Sequence, residues 1–258
     1  MATLNFVREG NGNGPLVVLS HALGCDLHMW DGVAAQLAPH HDVLRYDHRN
    51  HGGSERGAGL FTMEDLAEDA AALIRKEARG RPVHFVGLSM GGMTAQALAV
   101  RHPPLLASVV IANSAAHYPD KNPWRTRIDT VRSQGVAAIA AGAVARWLTP
   151  EYTQTAEGLA ASERLLKGLA AIDPEAYVES CQAVAAIDFR KSNGSIALPT
   201  LVIAGTRDDA TPMAMSEEIA NAVPGAQLVT IDAAHLSAVE RPAEFGRLLD
   251  SFWKGLAA

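Results

Sequence analysis

Val83-His84-Phe85-Val86-Gly87-Leu88-Ser89-Met90-Gly91-Gly92-Met93 is the stretch that decides the fold. Val83–Leu88 is an apolar, β-branched run without polar alternation, as expected of a strand covered on both faces. Met90–Arg101, closed by Pro103-Pro104, reads as the helix that follows it. Between the two, Gly87-Leu88-Ser89-Met90-Gly91 fits G-x-S-x-G. A serine on so sharp a turn sits in a strained backbone, and strand and helix approach too closely for side chains at Gly87 and Gly91.

The same reading extends outward in both directions. Leu16–Ser20, Asp42–Tyr46, 108–112, 200–204 and Gln227–Ile231 also read as strands, and Met63–Glu77, with Leu66, Ala70, Leu73 and Ile74 at helical spacing, reads as a helix between two of them. Strand and helix in alternation imply right-handed crossovers in an α/β fold with a mostly parallel sheet flanked by helices. Ligands of such sheets bind beyond the carboxyl ends of the strands, so the loops just after strands are the places to search for chemistry.

One stretch breaks the alternation. Residues 118–191 contain no strand-like run and read as helices over 124–133, 136–148, 156–171 and 174–187. Turn signals bound it, Pro119-Asp120-Lys121-Asn122-Pro123 before and Ser192-Asn193-Gly194-Ser195 after. The expected organisation is therefore a core of residues 1–117 and 192–258 with a helical lid inserted at 118–191.

Composition narrows the function classes. In 258 residues, 48% hydrophobic and 19% charged content, with mean hydropathy +0.04, provides a sizeable core and argues against disorder. The 22 Lys+Arg against 28 Asp+Glu give a net charge of −6, which lacks the basic excess that nucleic-acid binding requires. The longest apolar run, residues 136–145, is about half of a membrane span, and the first residues do not read as a signal peptide. With two cysteines, Cys25 and Cys181, no disulfide framework or Cys-x-x-Cys metal site can be built, and the expected compartment is the cytoplasm. Gly10-Asn11-Gly12-Asn13-Gly14-Pro15 ends in proline before a strand, so it is a turn and not a dinucleotide loop.

A serine hydroxyl is a poor nucleophile at neutral pH and needs a base oriented by a carboxylate. Asp208-Asp209 follows the strand at 200–204, and His235 follows Gln227–Ile231. The chain order Ser89, Asp208, His235 leaves room for the helical insertion before the acid. His48 and His51 with Asp47 can be read as metal ligands, but no third ligand cluster or H-E-x-x-H helix accompanies them, and no metal is expected.

Over nearly its whole length the chain resembles the α/β-hydrolase family, and within it the 3-oxoadipate enol-lactonases. The resemblance is carried by Ser20-His21-Ala22-Leu23-Gly24-Cys25-Asp26-Leu27-His28-Met29-Trp30, Leu44-Arg45-Tyr46-Asp47, the block from Gly87 to Met93, Ala145-Arg146-Trp147-Leu148-Thr149-Pro150, and Ile231-Asp232-Ala233-Ala234-His235-Leu236-Ser237. It implies a Ser89-His235-Asp208 triad, Asp208 being the acid of a G-x-x-D-x-x-x-P pattern, with an oxyanion hole made by the N–H groups of Leu23 and Met90. It implies no cofactor and, as partner, a small-molecule ester or lactone. Asn50 stands where the family's D-x-R-G-H-G turn has glycine, His21-Ala22 where His-Gly is common, and Ala185-Ala186 where enol-lactonases commonly carry Arg-Asp.

The expected substrate contacts are Trp124, Arg127 and Trp147, with Arg125, Arg132 and Arg146 as further lid cations for an acidic substrate. A broad carboxylesterase with the same triad is the alternative enzyme. A hydrolase-like receptor that binds a small molecule is the alternative from another class.

Overall fold

The computed structural model describes residues 2–10, 12 and 14–256. Asn11 and Asn13 of the expected turn before the first buried strand lie outside them. Among the described residues seven strands form one sheet: β1 Phe6–Gly10, β2 Leu16–Ser20, β3 Asp42–Tyr46, β4 Val83–Leu88, β5 Leu106–Ala112, β6 Thr200–Gly205 and β7 Gln227–Ile231, in the order β1-β3-β2-β4-β5-β6-β7. All neighbours are parallel except β1, which pairs antiparallel with β3 from Phe6 opposite Tyr46 to Gly10 opposite Asp42.

The helices are α1 Asp31–Leu37, α2 Met63–Glu77, α3 Met90–Arg101, α4 Asn122–Gln134, α5 Ala137–Trp147, α6 Ala156–Ala170, α7 Pro174–Ala186, α8 Met213–Ala222, the short α9 Ser237–Glu240 and α10 Pro242–Leu256. Every residue of β2 and β6 is buried, which is why their sequences read as unbroken apolar runs. Helix α2 starts at a capping box between Thr62 and Asp65 and ends with Arg75 and Lys76, so both termini are compensated. Helix α3 is buried from Met90 to Ala99 and packs on β4 and β5, which fixes the serine turn to the middle of the sheet.

Two strands differ from the sequence reading. Strand β1, Phe-Val-Arg-Glu-Gly, escapes recognition because it is a half-exposed edge strand with charged residues and no apolar run. Strand β5 starts two residues earlier than expected, at Leu106, and its pairing with β4 shifts register at Val83/His84. The helices of 118–191 are found within two residues of their expected ends, α4 packing on α7 and α5 on α6. That excursion leaves the core after β5 and returns before β6, and its two ends meet in an isolated antiparallel bridge between His117 and Asp188.

Candidate active site

Three loops at the carboxyl ends of β4, β6 and β7 bring Ser89, Asp208 and His235 together. Ser89 has φ 57° and ψ −115°, a conformation that non-glycine residues rarely adopt. A Cβ at Gly87 would run into the carbonyl of Gly91, and one at Gly91 into the carbonyl of Ser20, so the motif's glycines are required by backbone against backbone. The turn is pinned by Ser89 N–H donating to Ala112 at 2.9 Å and by the Ser114 hydroxyl donating to the Ser89 carbonyl at 2.8 Å.

His235 Nε2 lies 2.9 Å from Ser89 Oγ, and His235 Nδ1 lies 2.9 Å from Asp208 Oδ2. Asp208 Oδ1 accepts the N–H groups of Ala210 and Thr211 at 2.8 and 2.9 Å, while Oδ2 also accepts the Thr211 hydroxyl at 2.7 Å and Asn113 Nδ2 at 3.0 Å. Burial alone would raise the Asp208 carboxyl, but the charge and hydrogen bond of His235 and the donors of Thr211 outweigh it and hold the group well below the usual carboxylate range. Asp208 is therefore a committed anion whose remaining lone pairs keep one geometry. The neighbouring Asp209 is exposed.

Ala22, Leu23, Gly24 and Cys25 form a β-turn closed by Cys25 N–H to the Ala22 carbonyl at 3.1 Å, with Gly24 at φ 80°. Among the described residues neither Leu23 N–H nor Met90 N–H has a hydrogen-bond partner. Behind this turn sits a buried imidazole cluster. His21 Nδ1 donates to the Ala22 carbonyl at 2.8 Å and its Nε2 accepts His48 N–H at 3.0 Å, and the His21 ring lies 4.7 Å from that of His48 and 5.2 Å from that of His51. Burial pushes all three imidazoles below their ordinary value, His51 to about 3.

The Asp47 carboxylate accepts Leu27 N–H, Gly53 N–H and Asn5 Nδ2, and no cluster of His, Cys, Asp or Glu among the described residues is arranged to hold a metal ion. Asn50 adopts φ 68° in its turn, a conformation asparagine tolerates, and its side chain donates to the Ala176 carbonyl and to Glu179 of α7.

A cavity of about 330 Å³ opens onto Ser89, His235 and Leu23. Trp124, Arg127, Arg146 and Trp147 line it from α4 and α5, and Asp120 and Asp209 reach it from the rim. The Arg127 guanidinium lies 5.0 Å from the Trp124 ring centroid, and among the described residues no carboxylate pairs with it. Arg146 donates to the Asp209 carbonyl at 3.0 Å. The expected cations Arg125 and Arg132 are corrected here: both are exposed and lie off the cavity, because they fall on the outer face of α4. Ala185 and Ala186 do not line it either. A larger cavity of about 380 Å³, beyond the Gly24-Cys25 side of the turn, touches none of Ser89, Asp208 and His235.

Sequence reasoning missed Asn113 and Thr211. Asn113, at φ 44° just after β5, donates to Asp208 and to the Ala234 carbonyl and accepts the Ser237 hydroxyl at 2.6 Å, so it links the acid loop to the histidine loop. Its position at a strand's carboxyl end was the one available signal. Thr211 stands inside the loop that carries Asp208, but nothing in a sequence says that its hydroxyl turns back.

Residues 15–138 match the family described as alpha/beta hydrolase fold, and residues 176–242 match a family described as TAP-like protein. The chain is 33% identical to 3-oxoadipate enol-lactonase 2 of Acinetobacter baylyi, over 97% of this chain and 93% of that one. Among solved structures, the enol-lactonase from Burkholderia xenovorans LB400 superimposes with a TM-score of 0.93 at 36% identity, covering 98% of this chain and 97% of that one. A thermophilic esterase from Thermogutta terrifontis superimposes with a TM-score of 0.90 at 26% identity, over 99% and 94%. With its sheet order and end-to-end likeness to lactone and ester hydrolases, the chain belongs to the α/β hydrolase fold family.

Proposed function

We propose that the chain is a serine hydrolase that opens the lactone ring of 3-oxoadipate enol-lactone through an acyl-enzyme on Ser89. The observation that carries this reading is the unbroken line of 2.9 Å contacts from Ser89 Oγ through His235 to Asp208, facing a cavity of lactone size. His235 Nε2 takes the Ser89 proton as Oγ attacks the ring carbonyl carbon. The developing alkoxide meets the free N–H groups of Leu23 and Met90, the latter at the start of α3. The ring C–O bond then breaks, and His235 returns its proton to the departing enol oxygen. Water, deprotonated by the same imidazole, attacks the acyl carbon, releases the carboxylate and restores Ser89. Residues 118–191 serve as the lid, and within it Arg127 holds the substrate carboxylate, with Trp124 and Trp147 covering the ring.

A second reading, a broad carboxylesterase, is favoured by one feature: Asp120 and Asp209 reach the same cavity and oppose an anionic substrate. The two separate on kcat/KM for 3-oxoadipate enol-lactone against a neutral p-nitrophenyl ester of similar size. A desolvated, charge-assisted pair contributes about 1.5–3 kcal/mol, or roughly 10- to 150-fold, in favour of the enol-lactone. Equal or reversed values leave the esterase.

A further inference from the structure

Glu240, the last residue of α9, is a carboxylate only 3% exposed, and among the described residues no cation pairs with it. Three donors converge on it. Its Oε2 accepts Thr149 N–H at 3.1 Å and Ala234 N–H at 3.2 Å, and its Oε1 accepts the Thr149 hydroxyl. A buried charge persists only where hydrogen bonds replace its water, so these contacts are obligatory partners and not incidental ones. Ala234 immediately precedes His235, and Thr149 stands two residues beyond the end of α5.

The other side of His235 is tied to the same place: Leu236 N–H donates to the Trp147 carbonyl at 2.9 Å. The base is thus bracketed by two residues tied to the 147–149 segment, Leu236 directly and Ala234 through the Glu240 carboxylate. Farther along, the Tyr152 hydroxyl donates to the Val239 carbonyl at 3.2 Å. Helix α5 meanwhile lines the cavity with Ala143, Arg146 and Trp147 and reaches the acid loop through Arg146.

We propose that Glu240 is a positioning residue that locks the loop carrying His235 to the end of α5. The seating of α5 over the cavity and the placement of the base beside Ser89 are then one mechanical unit. The role requires a carboxylate because all three partners donate; an amide at this position accepts from one side and presents its own N–H groups to the other. The proposal rests on the Ser89–His235 reading given above.

The test combines the phosphonylation rate of Ser89 by a fluorophosphonate with steady-state turnover of a neutral p-nitrophenyl ester, in Glu240→Gln, Thr149→Val and the double variant. Displacing a catalytic group by about 1 Å costs up to about 100-fold. Glu240→Gln is expected to slow both phosphonylation and kcat by about 10- to 100-fold with KM within about threefold. Thr149→Val, which deletes one hydroxyl and keeps the backbone donor, is expected to slow them by about 2- to 10-fold. The double variant should be no slower than Glu240→Gln, since both act on one contact.

Folded variants that phosphonylate at the wild-type rate overturn the proposal, and so does a rise in KM at unchanged kcat. If Glu240→Gln fails to fold, Thr149→Val decides by the same readouts. Absence of labelling at Ser89 in the wild-type protein overturns the Ser89–His235 reading itself and the clamp with it, whereas labelled wild type with indifferent variants removes only the clamp.

Discussion

The ring of His51 stands between two backbone groups and satisfies both: Nε2 accepts Gly24 N–H at 3.1 Å, and Nδ1 donates to the Arg49 carbonyl at 3.1 Å. That pattern is available only to the neutral imidazole, because a second ring proton would face the Gly24 N–H with another donor. His21 makes the same commitment, with one nitrogen giving to Ala22 and the other accepting from His48. The turn that presents Leu23 is therefore held from behind by uncharged histidines.

Stability should accordingly fall on mild acidification. Burial lowers His21, His48 and His51, with mutual repulsion among the rings adding to it at His48 and His51. In the unfolded chain these side chains take up protons below about pH 6.5, whereas the folded chain does not, so unfolding gains protons as pH drops. Their contribution is complete above about pH 6.5 and declines below it, for His51 down to about pH 3. At pH 5 the loss from His51 alone amounts to about 2 kcal/mol. Urea unfolding at pH 7, 6 and 5 measures it, and a midpoint independent of pH in that range contradicts the neutral cluster.

Asp208→Asn should lower kcat by about 10³- to 10⁴-fold, since an amide no longer supports the imidazolium. Asp209→Asn should stay within about tenfold of wild type, because that side chain is exposed and loss of one surface charge has a small effect. Comparable losses in the two variants would reject the choice of Asp208 as the acid.

Replacing Arg127 by alanine should separate the two candidate substrate classes. Loss of a carboxylate partner is expected to reduce kcat/KM for 3-oxoadipate enol-lactone by about 10- to 150-fold, with a neutral ester changed by less than about threefold. A uniform drop for both would mean that Arg127 contributes only packing against Trp124.

Ser89→Ala and Ser89→Gly should both reduce kcat by about 10⁴-fold or more, yet differ in stability. With φ at 57°, alanine keeps a backbone strain of order 1–3 kcal/mol that glycine relieves, partly offset by glycine's own entropy cost. Thermal unfolding should rank Ser89→Gly above Ser89→Ala by about 1 kcal/mol. The reverse order would remove strain from the account of this turn.

What the sequence disclosed follows from what local pattern can carry. Buried parallel strands and the helices between them are legible because burial on both faces leaves apolar runs, as in β2 and β6. Ser89 is legible because steric demand writes glycines beside it. Strand β1 is not, since an edge strand carrying Arg8 and Glu9 in ion pairs with β3 residues Asp42 and Arg45 resembles a loop. Asn113 and Glu240 are illegible for a different reason: their roles arise from groups brought together across β5, β6, α5 and α9, and no spacing along the chain encodes such convergence.

The bridge between His117 and Asp188 has an implication for how this architecture can change. The helical excursion enters and leaves through a neck two chains wide, so its length is uncoupled from the parallel pairing of β5 and β6. Helical turns can be gained, shortened or exchanged there without moving a strand, which makes the cavity wall formed by α4 and α5 an interchangeable module on a constant chassis. A transplanted excursion must reproduce the junctions that hold the His235 loop, a carbonyl for Leu236 N–H and donors for Glu240. Chimeras that supply them should inherit the donor's selectivity at this chain's catalytic rate, and chimeras that omit them should fold and turn over slowly.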